Sequence, residues 1–357
     1  MLCDFSVGSG DFSVSDPCSE YEAFSESPQL LKPTLPNRPE PIRIASEIDL
    51  QLIETLRKDG RAGGRAFSER TKLSEASISR RIFQLEESGL VRVRGYVDLQ
   101  NAGCNAAAMI RFSTMGSPII LAQALAKRLR CYRVATIAGQ SEVIACLVAT
   151  TPLLLLAELE EIIAEHNDVV IHHVAPILDI IPPREARQVL NSTNEPVIER
   201  RATVRRSHFQ ANLIRTLQSD YRMTLTAISD VVGLSGPCIS ERVQEVIDLG
   251  LVRHIVVVDP NFLGTPVCAQ LRISAKRDFK KIAQEIAETL NPNWIFLCAQ
   301  TEQILVEVFV ASEGQLVDWQ HNIMKIPEVA SVAYSLFSAV YKQDFNWFSS
   351  RPISLAT

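Results

Sequence analysis

The chain has 357 residues, 46% of them apolar, which allows two to four domains with real cores. Its formal net charge of −5 excludes nucleic-acid binding through bulk basicity, though not through a local basic patch. The most apolar run, Val143–Ala157, is broken by Thr150, Thr151 and Pro152 and is too short to span a bilayer, so no membrane partner is expected.

Residues 1–42 are rich in Ser, Pro and acidic groups and read as a disordered tail. The tetrapeptide DFSV occurs there twice, at Asp4–Val7 and Asp11–Val14, and reads as an accidental repeat rather than a docking motif. The first twenty residues lack the apolar core of a secretory signal. The eight cysteines form no CxxC pair and mostly sit in apolar runs, as small buried hydrophobes would in a reducing cytoplasm.

Residues 43–95 read as a three-helix unit. Ile48–Gly60 forms the first helix, with Leu52, Ile53 and Leu56 inward, and a shorter helix at Ala66–Lys72 follows. Ser74 then caps a third helix that stops at Gly89. Its apolar side is Ile78, Ile82 and Leu85; its other side carries Ser77, Ser79, Arg80, Arg81 and Gln84. One apolar side and one small, polar, Arg-bearing side suit a helix lying in a major groove. Arg and Lys cluster between Arg57 and Arg94, supplying the local charge that the total lacks.

The period then changes to alternation. Val91–Leu99 reads as a strand, and residues 96–182 follow in the order strand, helix, strand, strand, helix, strand: Ala106–Phe112, Ile119–Arg130, Arg133–Ala138, Glu142–Ala149, Leu153–Glu165 and Val169–Ile180. That βαββαβ order predicts a ferredoxin-like antiparallel sheet with helices on one face. His172 and His173 do not read as a metal site, because neighbours on a strand point to opposite faces. Residues 183–206, with Pro183, Pro196 and the cluster Arg200, Arg201, Arg205 and Arg206, read as a solvated linker.

The pattern then recurs. Ser235–Val252 aligns with Ser74–Val91 without a gap at an offset of 161 residues, with Ile239, Val243 and Val246 apolar and Cys238, Ser240, Arg242 and Gln244 polar. Phe209–Asp220 and Leu225–Val232 precede it, within a second three-helix unit at 207–256. Gly233 stands in its turn where the first unit has Lys72, a residue that would be strained there by about 1 kcal/mol. Residues 257–345 repeat the βαββαβ order through Pro266–Ser274, Phe279–Leu290, Trp294–Ala299, Gln303–Ala311, Gln315–Lys325 and Val329–Lys342. The fold class is therefore α+β, as a tandem duplication.

IDLQLIETLRKDGR (Ile48–Arg61), the Ser74 helix with Arg80 and Arg81, and IAGQSEVI (Ile137–Ile144) together resemble the Lrp/AsnC (feast–famine) transcription regulators. FQANLIRTLQSDYR (Phe209–Arg222), the Ser235 helix with Arg242, and CAQTEQIL (Cys298–Leu305) resemble the same family a second time. The resemblance implies two winged-type helix-turn-helix domains, with the ferredoxin-like domains paired as an intramolecular pseudo-dimer that can assemble further. It implies double-stranded DNA as partner, a nucleoid location, and no cofactor. It also implies an amino-acid-like effector held between the ferredoxin-like domains by Gly139, Gln140, Glu142, Gln300 and Glu302. The family's Gly-x-x-Asp turn reads here Gly139–Glu142 and Ala299–Glu302, with Glu replacing Asp in both and Ala replacing Gly in the second. Glu241 stands where Arg80 stands in the first unit, so the two arms are not expected to read identical half-sites.

The reading is a sequence-specific regulator and not an enzyme. The alternatives are a ligand sensor without specific DNA reading and an enzyme resembling the siroheme decarboxylases, whose site uses a histidine and aromatic cluster around the hairpin between the second and third ferredoxin strands. The hairpins here, Arg133–Val148 and Trp294–Phe309, contain neither histidine nor tyrosine.

Overall fold

The computed structural model describes residues 44–99, 101–188, 208–233 and 236–343, all within one compact unit. The expected N-terminal tail, most of the expected linker with its arginine cluster, and the Ser235 cap lie outside the described residues. No described helix is long and apolar enough to cross a membrane.

Three helices open the described chain: α1 (Glu47–Lys58), α2 (Gly64–Thr71) and α3 (Glu75–Glu87). Helix α1 starts in a capping box, in which Ser46 and Asp49 satisfy each other's free backbone N–H groups. Helix α3 starts at Ser74, whose hydroxyl accepts from the Ser77 amide, and ends before Gly89 at φ +70°. Between α2 and α3 the chain turns through Lys72 at φ 58°, in the left-handed region that disfavours a residue with a Cβ. The strain read from the sequence is present in the fold.

Strand β1 (Val91–Tyr96) is followed by β2 (Ala106–Thr114), α4 (Pro118–Lys127), β3 (Cys131–Ile137), β4 (Glu142–Ala149), α5 (Pro152–Glu165) and β5 (Val169–Ile181). After a short helix α6 (Arg184–Gln188) come α7 (His208–Ser219), α8 (Leu225–Val232), α9 (Gly236–Asp248) and β6 (Arg253–Val258). The chain ends through β7 (Val267–Ala275), α10 (Phe279–Thr289), β8 (Trp294–Cys298), β9 (Ile304–Val310), α11 (Glu313–Met324) and β10 (Val329–Gln343). Helix α6 falls inside the stretch expected to be linker. It is docked instead: Ala186 is buried, its carbonyl accepts from Arg253, and Glu185 accepts from the Val256 amide.

The strands close further than the alternation foretold. They form one closed barrel in the order β10-β3-β4-β2-β5-β8-β9-β7. Two ladders close it, β5 on β8 (Ile177 opposite Cys298 to Ile181 opposite Ile295) and β10 on β3 (Phe337 opposite Ile137 to Gln343 opposite Arg133). Strands β1 and β6 form their own antiparallel ladder, Val91 opposite Val258 through Tyr96 opposite Arg253.

Alternation sorts each strand into two layers. Ile110 and Phe112 of β2 face outward onto Leu121, Leu125 and Ile162 of α4 and α5, and Leu271 and Ile273 of β7 pack likewise on Ile282, Ile286 and Leu316 of α10 and α11. The inward residues, among them Met109, Ile144, Trp294 and Leu305, belong to one core with Leu52, Ile78, Leu213 and Ile239 of the helical layer. Tyr96 of β1 meets Trp294 of β8 with ring centroids 5.4 Å apart, joining the small ladder to the barrel.

Two arginines fasten the helical groups to each other. Arg61 donates to the carbonyls of Tyr221 (2.5 Å) and Met223 (2.9 Å), while Arg222 donates back to Gly60 (3.0 Å) and Ala62 (3.4 Å). Gly95 permits the close approach of α7 to β1, since a Cβ there would lie 2.6 Å from the Leu217 carbonyl oxygen.

Lys72→Gly is expected to raise the stability of the first helical group by about 1 kcal/mol, read as a higher denaturant midpoint at unchanged slope. No gain would show that the turn relaxes out of the left-handed region in solution.

Candidate functional site

Two regions gather the predicted residues, and the first is the outer face of α3. Ile78, Ile82 and Leu85 are buried against α1 and α2, which turns Ser77, Ser79, Arg80 and Gln84 outward, all exposed. Arg80 has no ion pair or hydrogen bond among the described residues. Arg81 differs. Its guanidinium grips Asp49 through two hydrogen bonds (2.7 and 2.9 Å) and also donates to Ser46 (2.9 Å). A forked bond of that kind occupies the donors that guanine would need. Arg81 is therefore placed to hold α3 against the start of α1.

Burial opposes ionisation of Asp49, but hydrogen bonds from Arg81 and Ser46 outweigh it and hold the carboxyl at about 2. Sequence reasoning passed over Asp49, although Ser46-Glu-Ile-Asp49 ahead of an apolar run is a capping signature. It also passed over Phe83, which is 62% exposed on the outer side of α3 between Arg80 and Gln84. An exposed ring beside polar readers is suited to a thymine methyl group.

On α9, Ile239, Val243 and Val246 are buried, while Cys238, Ser240, Glu241, Arg242 and Gln244 are exposed. Arg242 pairs along its own helix with Glu245 (2.6 Å), and Gln244 donates to Asp248 (2.8 Å). This face offers a carboxylate where α3 offers Arg80.

The second region is a cavity of about 270 Å³ in the barrel, lined from β2, β4, β5, β7, β9 and the β8–β9 turn. Three of the five predicted effector residues line it: Glu142, Gln300 and Glu302. Gly139 and Gln140 do not. They sit exposed in the β3–β4 turn, where Gly139 supplies φ +73°.

The cavity's strongest polar groups were missed from the sequence. Arg111 of β2 lies 3.5 Å from Glu142, and Arg272 of β7 lies 3.1 Å from Glu302 and also donates to Ser335. Burial, and next the neighbouring Arg272, push the Arg111 guanidinium below its ordinary range. Gln270 is buried and its amide nitrogen has no partner among the described residues; Glu142 Oε2 is buried and has no hydrogen bond among them either. The available signal was the 161-residue offset, which superposes Arg111 on Arg272.

His172 and His173 both line this cavity, and His173 bonds to Gln300. Simple alternation forbids that, but the β2–β5 register slips between Arg111 and Phe112, which face His173 and Ile171 in turn. The bulge absorbs His172 and breaks the alternation. Among the described residues no His, Cys, Asp and Glu cluster could hold a metal ion.

The winged helix-turn-helix DNA-binding family matches residues 46–92. Those residues form a winged helix-turn-helix DNA-binding domain. No curated protein matches the chain in sequence. Among solved structures, the siroheme decarboxylase NirDL in complex with an iron-uroporphyrin III analogue is similar with a TM-score of 0.56 at 11% identity, covering 85% of this chain and 95% of its own. The two share a fold. The Mycobacterium tuberculosis leucine response regulatory protein LrpA (TM-score 0.34, 21% identity) covers 37% of this chain and 91% of its own. LrpC of B. subtilis (TM-score 0.33, 20% identity) covers 37% and 94%.

Because Asp49 titrates below the ordinary carboxylate range, its contribution to stability is complete above about pH 4 and is lost as the pH falls through about 2. That contribution is about 2 kcal/mol. Acid unfolding of Arg81→Ala should lose the part of this component that Arg81 supplies, so that its stability falls less steeply than the wild type's over the same interval; parallel acid profiles would refute the assignment.

Proposed function

We propose that the chain is a sequence-specific DNA-binding transcription regulator controlled by a small molecule in the barrel cavity. The observation that carries it is the α3 face, where Ser77, Ser79, Arg80 and Gln84 project from a buried apolar side inside a matched winged helix-turn-helix domain. Arg80, Phe83 and Gln84 read bases, and Arg81 fixes the angle at which they are presented.

On this reading α7–α9 is a second head and β7–β10 a second ferredoxin-like unit, so one polypeptide supplies both arms of a pseudo-dimer. Its domains run 43–95, 96–182, 207–256 and 257–345. The arms are unequal: Glu241 repels phosphate where Arg80 attracts it, so Cys238, Ser240, Arg242 and Gln244 contribute positioning more than base discrimination. The Arg61 and Arg222 clasp fixes the spacing of the heads. The exposed Ile119, Ile120, Leu153 and Leu156 on α4 and α5 support assembly of more than one chain. A ligand that rearranges the cavity shifts the heads through Trp294 and Tyr96, which connect barrel to β1.

A second reading, an enzyme similar to siroheme decarboxylase, is favoured by the shared fold and by the two histidines in the cavity. Pockets for drug-sized ligands enclose about 300–1,000 Å³, so a cavity of about 270 Å³ favours the smaller effector.

Selection of bound genomic fragments followed by footprinting at controlled salt tests the proposal. Two unequal half-sites are expected, with Arg80→Ala weakening specific binding by about 1–3 kcal/mol. Weak binding with no preferred fragment, together with CO2 release from an iron tetrapyrrole, would overturn it in favour of the enzyme.

A further inference from the structure

The cavity has a chemistry narrower than that of a general effector site. In the closed eight-stranded order, β2 and β7 stand four strands apart, so Arg111 and Arg272 approach the space from opposite walls. The two guanidiniums repel each other, and one glutamate beside each offsets that repulsion, Glu142 at Arg111 and Glu302 at Arg272. Their present counter-ions are unequal in quality. Glu302 receives a hydrogen bond from Arg272, while Glu142 Oε2 faces Arg111 at 3.5 Å in an ion pair without a hydrogen bond. Gln270, almost wholly buried on the β7 wall, has an amide nitrogen with no acceptor among the described residues. A buried donor left empty costs about 1–3 kcal/mol, so an acceptor brought by a ligand recovers that cost.

We propose that the cavity binds one small dicarboxylate per chain, one carboxylate on Arg111 and the other on Arg272 and the Gln270 amide. The inference rests on the regulator reading and deepens it by naming the effector class. Arginine offers paired N–H donors matched to a carboxylate, which a lysine would not. The volume of about 270 Å³ suits a short-chain diacid and lies below the usual range of pockets for drug-sized ligands. A neutral amino acid leaves one guanidinium with its glutamate alone and the Gln270 donor without an acceptor. Discrimination against a ligand that lacks a partner for such buried groups is steep. Both an acidic amino acid and its 2-oxo counterpart carry the two carboxylates; only the former brings an ammonium for Glu142 Oε2.

Isothermal calorimetry of the intact chain, without DNA, against L-glutamate, 2-oxoglutarate, L-leucine and acetate tests this. One molar equivalent of a dicarboxylate is expected to bind, with leucine and acetate at least tenfold weaker. Arg111→Met and Arg272→Met should each weaken dicarboxylate binding tenfold or more, and Arg272→Lys should retain the fold while still weakening it. Tighter binding of L-glutamate than of 2-oxoglutarate assigns the ammonium to Glu142, and the reverse order makes the keto diacid the ligand. Equal binding of leucine, or dicarboxylate binding unchanged in Arg111→Met, overturns the inference. A specific footprint without any dicarboxylate binding removes this inference and leaves the regulator reading standing. Dicarboxylate binding by a chain that prefers no DNA fragment supports the inference and removes the regulator reading instead.

Discussion

Hydrogen bonding of β5 to β8 and of β10 to β3 leaves neither four-stranded group with an open edge, the usual route by which sheets associate wrongly. The cavity exists because of these two ladders. Arg111 and Glu142 come from one side of the closure, and Gln270, Arg272 and Glu302 come from the other. The single core continuing from the barrel interior into the helical layer has the same origin, since an open sheet would present Met109, Trp294 and Leu305 to water.

Closure also commits charge to the interior. Arg133 of β3 and Glu307 of β9 are buried at 2.6 Å, joining strands from the two groups. Burial pushes the Glu307 carboxyl above its ordinary range despite the guanidinium beside it. Such a pair gives little net stability, because desolvation offsets most of the attraction. Its consequence lies in selection. A slipped register would strand either charge alone at a cost of about 3–5 kcal/mol, so the pair favours this closure over neighbouring ones.

Much of this was legible in the sequence where a local rule acts alone. The alternation of Ala106–Phe112 and the glycine at 233 against lysine at 72 each depend on nearby residues, and those features stand as read. Features decided by distant partners did not show. Arg81 looks like a base reader until Asp49, on another helix, is seen to hold it. His172 and His173 look incapable of sharing a site until the β2–β5 bulge is known. Arg111 and Arg272 look like ordinary strand arginines until closure sets them across one cavity. Helix α6 is too short to carry a period and is fixed by its contacts with β6.

Closure of the barrel within one chain is the central claim, and hydrogen–deuterium exchange on the intact protein measures it most directly. Amides of residues 177–181 and 337–343, which face β8 and β3, should exchange as slowly as those of the β2–β4 ladder. Fast exchange there, with β2–β4 still protected, would mean two open sheets and no shared cavity, and would contradict the account.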